Sequence, residues 1–295
     1  MNLKDVFPAE AVVRDGPFIH LGHADSPSPE TLTYADAVAY VDAANANPNV
    51  CAVITQPEHA GRVSKDKGLA VAPDPRRAFY DIHNLMLEQG SHRLGMTFGR
   101  GTNVRIHPSA LVSEKTFIGN NVTIGENVVI KDGVTIGNNG VVDAAAVLGA
   151  EGLLYFDDEQ GRHRRIQHAG GVIIGHDVTI LSGAVVAKFV TPSKMTSIGS
   201  HSIIGIQATV GHEACVGENC VISGNCVIAR NAKLGDGVWV GASSFIRENI
   251  TVGAGARIHV GSVVVDDVKD GQAVSGNFAS DHQKRLADFA RSRIR

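Results

Sequence analysis

The sequence predicts a mainly β protein: a parallel β-helix of six-residue repeats, preceded by a small α/β segment and followed by a short helix. Three observations carry this. An aliphatic residue recurs every sixth position from Ile106 to Leu148, resumes at Ile174 through Val186, and runs unbroken from Ile198 to Val264. A small or β-branched residue stands two positions before it, as at Val122, Ala208, Ala214, Cys220 and Ala232. The composition agrees, with 33 glycines and only 5% aromatic residues in 295. A period of six fits neither a helix nor one long strand. It fits short strands joined by tight turns, three to a coil, stacked as a triangular prism.

Residues 1–100 read as an α/β head. "TYADAVAYVDAANANP" has a helical pattern, and "VCAVIT" and "GLAVAP" look like buried strands. "DPRRAFYDIHNLMLEQ" places Pro near the start of a second helix with apolar residues at helical spacing. Neither common glycine-rich phosphate loop is present.

Residues 101–275 form the prism. Its aliphatic and small positions point inward, and Gly and Asn suit turns that need a positive φ. Parallel pairing at ~4.8 Å gives roughly seven to eight coils, about 35 Å in length. Two stretches break the phase: 150–171, "AEGLLYFDDEQGRHRRIQHAGG", and 187–197, "AKFVTPSKMTS". Long loops on a solenoid commonly build binding surfaces. Residues 276–295 close the chain, with an amphipathic helix over 281–295 that exposes Lys284, Arg285, Arg291, Arg293 and Arg295.

Within the repeat, "ATVGHEACVG" stands out. His212 falls two residues after Val210, a slot that elsewhere holds Asn120, Glu126, Asp132, Asn138, Ser200, Glu218 and Asp236. Uninterrupted phase makes it an outward, solvent-facing slot and stacks Lys194, His212, Arg230 and Glu248 in one column. An imidazole beside Glu213 has the makings of a general base held by a carboxylate. The slot also accepts any polar residue, so phase alone leaves both readings open. His176 occupies the same phase, in ordinary repeat sequence; His201 and His259 fall at other phases. Cys220 and Cys226 occupy inward positions, and Cys215 is one residue off. No histidine or cysteine spacing matches a metal or redox signature.

The formal charge of -3 gives no reason to expect nucleic acid. No apolar run reaches the ~18 residues of a membrane span, and the N-terminus lacks a signal-peptide pattern. A cytoplasmic location is expected.

An α/β head, a hexapeptide prism and a terminal helix together resemble the UDP-3-O-(3-hydroxyacyl)glucosamine N-acyltransferases of lipid A synthesis. The similarity spans nearly the whole chain and implies a left-handed coil. "LTYADAVAY" resembles a pattern whose two aromatics hold the uracil ring, which implies that role for Tyr34 and Tyr40. The 148–180 stretch resembles the family's Gly-x-Asp-Gly-Phe-Gly-Phe loop and implies that Gly152, Tyr155 and Phe156 line an acyl or pantetheine channel. "VGHEACVG" falls on the catalytic-histidine motif and makes His212 the general base. Arg230 stands where the family has a glycine, so its backbone amide is the implied oxyanion donor. The family's Asp-Asn pair is Gly205 and Ile206 here, and its second histidine is Asn249. The His-Glu pair is closer to the UDP-4-amino-sugar N-acetyltransferases of the same fold, with Glu213 orienting His212. The resemblance implies an N-acyltransferase using a UDP-amino sugar in lipid A or glycan biosynthesis. The co-substrate is acyl-CoA or an acyl carrier protein thioester, with no bound cofactor or metal. It also implies a homotrimer with His212 between subunits, its contacts drawing on outward residues such as Val129, Val141 and Ile203. O-acyl transfer and a decayed, non-catalytic scaffold are the competing expectations.

Overall fold

The computed structural model describes residues 1–90, 97–192, 194–276 and 291–292. The expected C-terminal helix lies outside the described residues except at 291 and 292, which are helical.

The head is a five-stranded sheet with two helices. Its strands are β1 (Val12–Arg14), β2 (His20–Leu21), β3 (Thr31–Ala35), β4 (Val50–Thr55) and β5 (Gly68–Val71), in the order β1-β5-β4-β3-β2. Only the β1–β5 pairing is antiparallel. Helix α1 covers Val38–Ala46 and α2 covers Pro75–Glu88. Asp74 caps α2 by accepting from the Arg77 amide at 2.9 Å, and Pro75 supplies a pre-set φ in the first turn. The helical reading of "TYADAVAY" is corrected here. Thr31–Ala35 extends along β4, where its alternate residues are buried on both faces of the sheet, and the helix starts only at Val38.

The prism has three faces of parallel strands. The first face opens at Gly99–Arg100, the second at Arg105–Ile106 and the third at Leu111–Val112. Their sheets hold eight, nine and eight strands among the described residues. The prism gains two strands on the repeat count, because Gly99–Arg100 pairs before the first aliphatic position and Ala273–Val274 pairs after the last. The inward aliphatic column is fully buried, from Ile118 through Ile258, and so are its small partners Val122, Ala208, Cys220 and Cys226. At up to ~25 cal/mol per Å² of apolar surface, this shared interior is the main favourable term of the prism. The turns take the left-handed conformation at Asn103, Asn121, Asn139, Asn219, Asn225 and Asn231, where the short amide side chain tolerates a positive φ.

Where the phase breaks, the vertical neighbours change. Ile136 pairs with Ile174 and Leu148 with Val186, both 38 residues apart, so the first excursion adds 20 residues to an 18-residue coil. Val186 pairs with Val210, 24 residues on, so the second adds six. Six residues equal one face. The rung beneath His212 is consequently Lys188, two residues past Val186, and not Lys194. His176 likewise leaves the His212 column. It follows Ile174 on the first face, whereas His212 follows Val210 on the third.

The interior admits nothing larger than the residue it holds. Ala256 is fully buried in a small inward position far along the prism from both excursions. Ala256→Phe should destabilise by about 1–3 kcal/mol or more, the usual cost of overpacking; a wild-type thermal midpoint would contradict the packing described here.

Candidate active site

Both excursions leave the prism at the same edge, where the third face turns into the first. They depart after Val147–Ala150 and after Val185–Ala187, one above the other, and re-enter at Gly171–Ile174 and Met195–Ile198. His212 occupies the next rung of that edge, after Thr209–Val210. The excursions and the head cover it.

The first excursion is a hairpin, Tyr155–Asp157 against His163–Arg165, docked on α2. His83 Nε2 donates to the Gln167 carbonyl at 2.7 Å, and Asn84 bonds both the Arg165 carbonyl and the Gln167 amide at 3.1 Å. Phe156, Ile166 and Val190 join Phe18, Phe79 and Met86 in one apolar cluster. Head and excursions therefore share a core, separate from the prism interior.

His212 is only 4% exposed, which corrects the solvent-facing expectation. Its ring meets His168 edge to face with centroids 5.0 Å apart. Gly152 packs so closely on its Cδ2 that an added Cβ would overlap it. Gly152 is thus a cover of His212. Two other loop assignments change with it. Phe156 is buried in the head core, so its side chain anchors the hairpin. Tyr155 is 45% exposed on the hairpin, packed on His163, and its carbonyl accepts from Arg76.

Burial lowers the His212 pKa to about 4, with Arg230 adding a smaller push, so the imidazole is neutral and free to accept a proton near pH 7. His168 falls to about 3 and His83 to about 4, in each case chiefly through burial. Glu213 adjoins His212, but its Oε2 lies 3.9 Å from the buried Nδ1, too long for a hydrogen bond. The expected orienting bond is not formed; ring packing against His168 and Gly152 fixes the imidazole. Glu213 takes φ 67°, with its amide donating to Thr196 Oγ1 at 2.9 Å. Its carboxyl is pushed up by burial, against the pull of Arg230 and Lys194.

The Arg230 amide follows from a ladder seen at another edge. Where the first face turns into the second, most corner amides donate to the side chain one rung on. Asn120 donates to Asn138, Asn138 to His176 Nδ1 at 2.9 Å, and His176 to Ser200. His176 is thereby a structural rung. At the His212 edge no such ladder forms, and the Arg230 amide meets no acceptor among the described residues.

Above this edge lies a cleft of about 800 Å³ within the single chain, between head and prism. The prism contributes Glu213, Arg230 and Asn249; the head contributes Tyr34, Tyr40, Arg76 and Tyr80. Tyr34 is half-buried in an aromatic cluster with Phe79 and Tyr80, whereas Tyr40 is 57% exposed at the mouth. Lys194 reaches from the second excursion to Asp25 in the cleft wall at 2.8 Å.

Sequence reasoning missed His168, Arg76 and Tyr80. His168 ends "RRIQH", an unrepeated stretch that offers no phase. Arg76 and Tyr80 are four apart on α2 and so share a face, a visible signal. Among the described residues no three His, Cys, Asp or Glu groups converge to hold a metal ion. No helix there is long and apolar enough to cross a membrane.

No family model and no curated protein sequence matches this chain. Among solved structures, a UDP-N-acetylglucosamine acyltransferase from Campylobacter jejuni is similar, at 26% identity over 64% of this chain and 78% of that one, with a TM-score of 0.54. An Arabidopsis UDP-N-acetylglucosamine acyltransferase shares 21% identity over 60% and 67% of the two chains, with a TM-score of 0.45. The acetyltransferase domain of PglB from Neisseria gonorrhoeae shares 18% over 84% and 97%, with a TM-score of 0.31. The Campylobacter similarity makes the prism a left-handed parallel β-helix of the acyltransferase kind. The fold is that of an acyltransferase.

The buried histidines set a pH dependence. Each folded pKa lies below the unfolded value near 6.5, so the fold favours the neutral ring. That stability is fully present above about pH 6.5 and is lost as pH falls toward 4 and 3. The thermal midpoint should drop across that window, and the drop should be shallower in His168→Phe. An identical pH profile for the two proteins would remove His168 from this account.

Proposed function

We propose that the protein is an N-acyltransferase that moves an acyl group from a thioester to the amino group of a UDP-linked sugar. The observation that carries this reading is the cleft. One wall bears Tyr34 and Tyr40 for the uracil ring, and the opposite wall bears Glu213 and Arg230, beside a neutral buried histidine. Base–aromatic stacking contributes about 1–3 kcal/mol. His212 acts as general base while nitrogen attacks the thioester carbon, and the Arg230 amide receives the developing oxyanion. Arg76 and Arg230 supply positive charge for the diphosphate. Gly152 and His168 cover the base, and local movement of the 150–154 segment admits the reacting groups to it.

Acyl-CoA and acyl carrier protein are both suitable donors, since each offers the same pantetheine thioester. The His-Glu pair favours an amino acceptor of the UDP-4-amino-sugar kind over the lipid A acceptor, and the cytoplasm is the compartment where such donors meet it. The working form is a homotrimer. The third face carries outward Leu111, Val129, Val147, Val185, Val227, Phe245 and Val263, of which Leu111 is 69% and Val263 56% exposed in the single chain. Such a stripe calls for cover.

A donor–acceptor assay tests the activity. Acetyl-CoA and acyl carrier protein thioesters are offered with UDP-linked 2-amino and 4-amino sugars and with their hydroxyl counterparts. Amide formation is expected; ester formation alone would establish O-acyl transfer, and no product at all would favour a scaffold. In the productive pair, His212→Asn should lose about 10²–10⁴ of the rate, the span of general base catalysis. It should also lower the thermal midpoint, because the ring is buried. His176→Asn, at a different edge, should keep the rate. Light scattering should give a mass near three chains, and a monomer at micromolar concentration would remove the trimer.

A further inference from the structure

The corner residue that meets the cleft is Glu213. Its carboxylate lines the space beside Arg230 and Asn249, whereas His212 is not part of that lining and lies behind it under Gly152 and His168. The Glu213 side chain is 11% exposed, and no hydrogen bond to its carboxylate is formed among the described residues. Its Oε2 lies 3.9 Å from His212 Nδ1. The turn position is a poor one for glutamate, because φ of 67° is a conformation that Asn and Gly fill at most corresponding turns. A largely covered, unbonded carboxylate held there and lining a cleft matches a positively charged ligand group.

Acyl transfer to an amine needs two proton acceptors in sequence. The acceptor arrives as an ammonium, which has no lone pair. One proton must leave before attack and a second after it. Building on the N-acyltransferase reading above, we propose that Glu213 is itself a catalytic base that takes the first proton, and that His212 handles the second. The sugar ammonium gives a proton to the Glu213 carboxylate and becomes a free amine. The nitrogen lone pair attacks the thioester carbon, and the carbonyl π pair becomes the oxyanion. His212 takes the proton from the now cationic nitrogen. The oxyanion collapses, the C–S bond breaks, and the thiolate receives the His212 proton. Glu213 returns its proton to solvent. The sum is an ammonium and a thioester giving an amide, a thiol and one proton.

The surroundings of Glu213 suit this. Arg230 stands one rung above on the same edge, Lys194 comes from the second excursion, Asp25 from the head, Tyr80 from α2, and His212 from the same turn. Burial raises the carboxyl pKa, which makes it a stronger base, while Arg230 and Lys194 pull it the other way.

The test is kcat/KM against pH with the UDP-amino sugar that wild type acylates fastest. Glu213→Gln should be slower by about 10²-fold or more near neutrality. The deficit should shrink by about tenfold per pH unit as free amine accumulates. Glu213→Gly suits the positive φ, keeps the fold, and opens room for a small acid. Added formate should restore its rate at least tenfold and leave Glu213→Gln unchanged. A deficit of equal size at every pH, or no rescue by formate, would overturn the proposal and leave Glu213 as a support for His212. Absence of amide product with wild type is a separate result, which removes the parent reading itself.

Discussion

The constraint on which the structure depends is the width of the prism interior. Three short strands per coil enclose a space that one aliphatic and one small residue per face fill completely, as Ile228 with Cys226 and Val210 with Ala208 do. Through the regular coils each face therefore takes six residues. A longer segment cannot be absorbed inside a face without pushing polar residues into the interior. It can leave only at an edge, between one strand and the next. Both insertions of this chain do so at a single edge and on adjacent rungs, so they form one surface over the rung that follows. That rung carries His212.

Burial of the site follows from this stacking. The excursion is held to the head by backbone-directed bonds from His83 and Asn84 and by Phe156 in the shared core. It presents Gly152 and His168 to the prism edge. The absence of a side chain at 152 is what lets the loop close onto the imidazole. Low polarity around the rings then decides their protonation, because removing a charged imidazole from water costs more than the few nearby carboxylates return. Neutral histidines and a Glu213 carboxyl with a raised pKa at one corner are two consequences of the same burial.

The cleft joins two structures with different logic. The prism supplies rigid, evenly spaced positions, so Glu213, Arg230 and Asn249 come to one wall through turn geometry. The head supplies side chains from a strand, a helix and a helix face, Tyr34, Tyr40 and Arg76, which only a packed α/β layer brings together. The cleft thus sets groups fixed by the repeat on one wall against groups from a strand and two helices on the other.

How much of this was legible in the sequence depends on which interactions are local. The six-residue phase is local and repeated, so it determined the prism, its inward residues and its left-handed-conformation turns almost residue by residue. The motif around "VGHEACVG" singled out His212 and Glu213, and the head segments marked α2, β4 and β5. Phase failed where it was interrupted. Six extra residues before Met195 moved the coil by one face, which replaced Lys194 by Lys188 beneath His212 and sent His176 to another edge. Strand or helix for Tyr34 was decided by pairing with β4, a long-range contact. Tertiary structure alone decided that His212 is buried, that His168 and Gly152 bury it, and that Phe156 anchors the loop. The reason is physical: a repeat specifies which way each side chain points, but what lies in that direction is set by segments folded back from elsewhere in the chain.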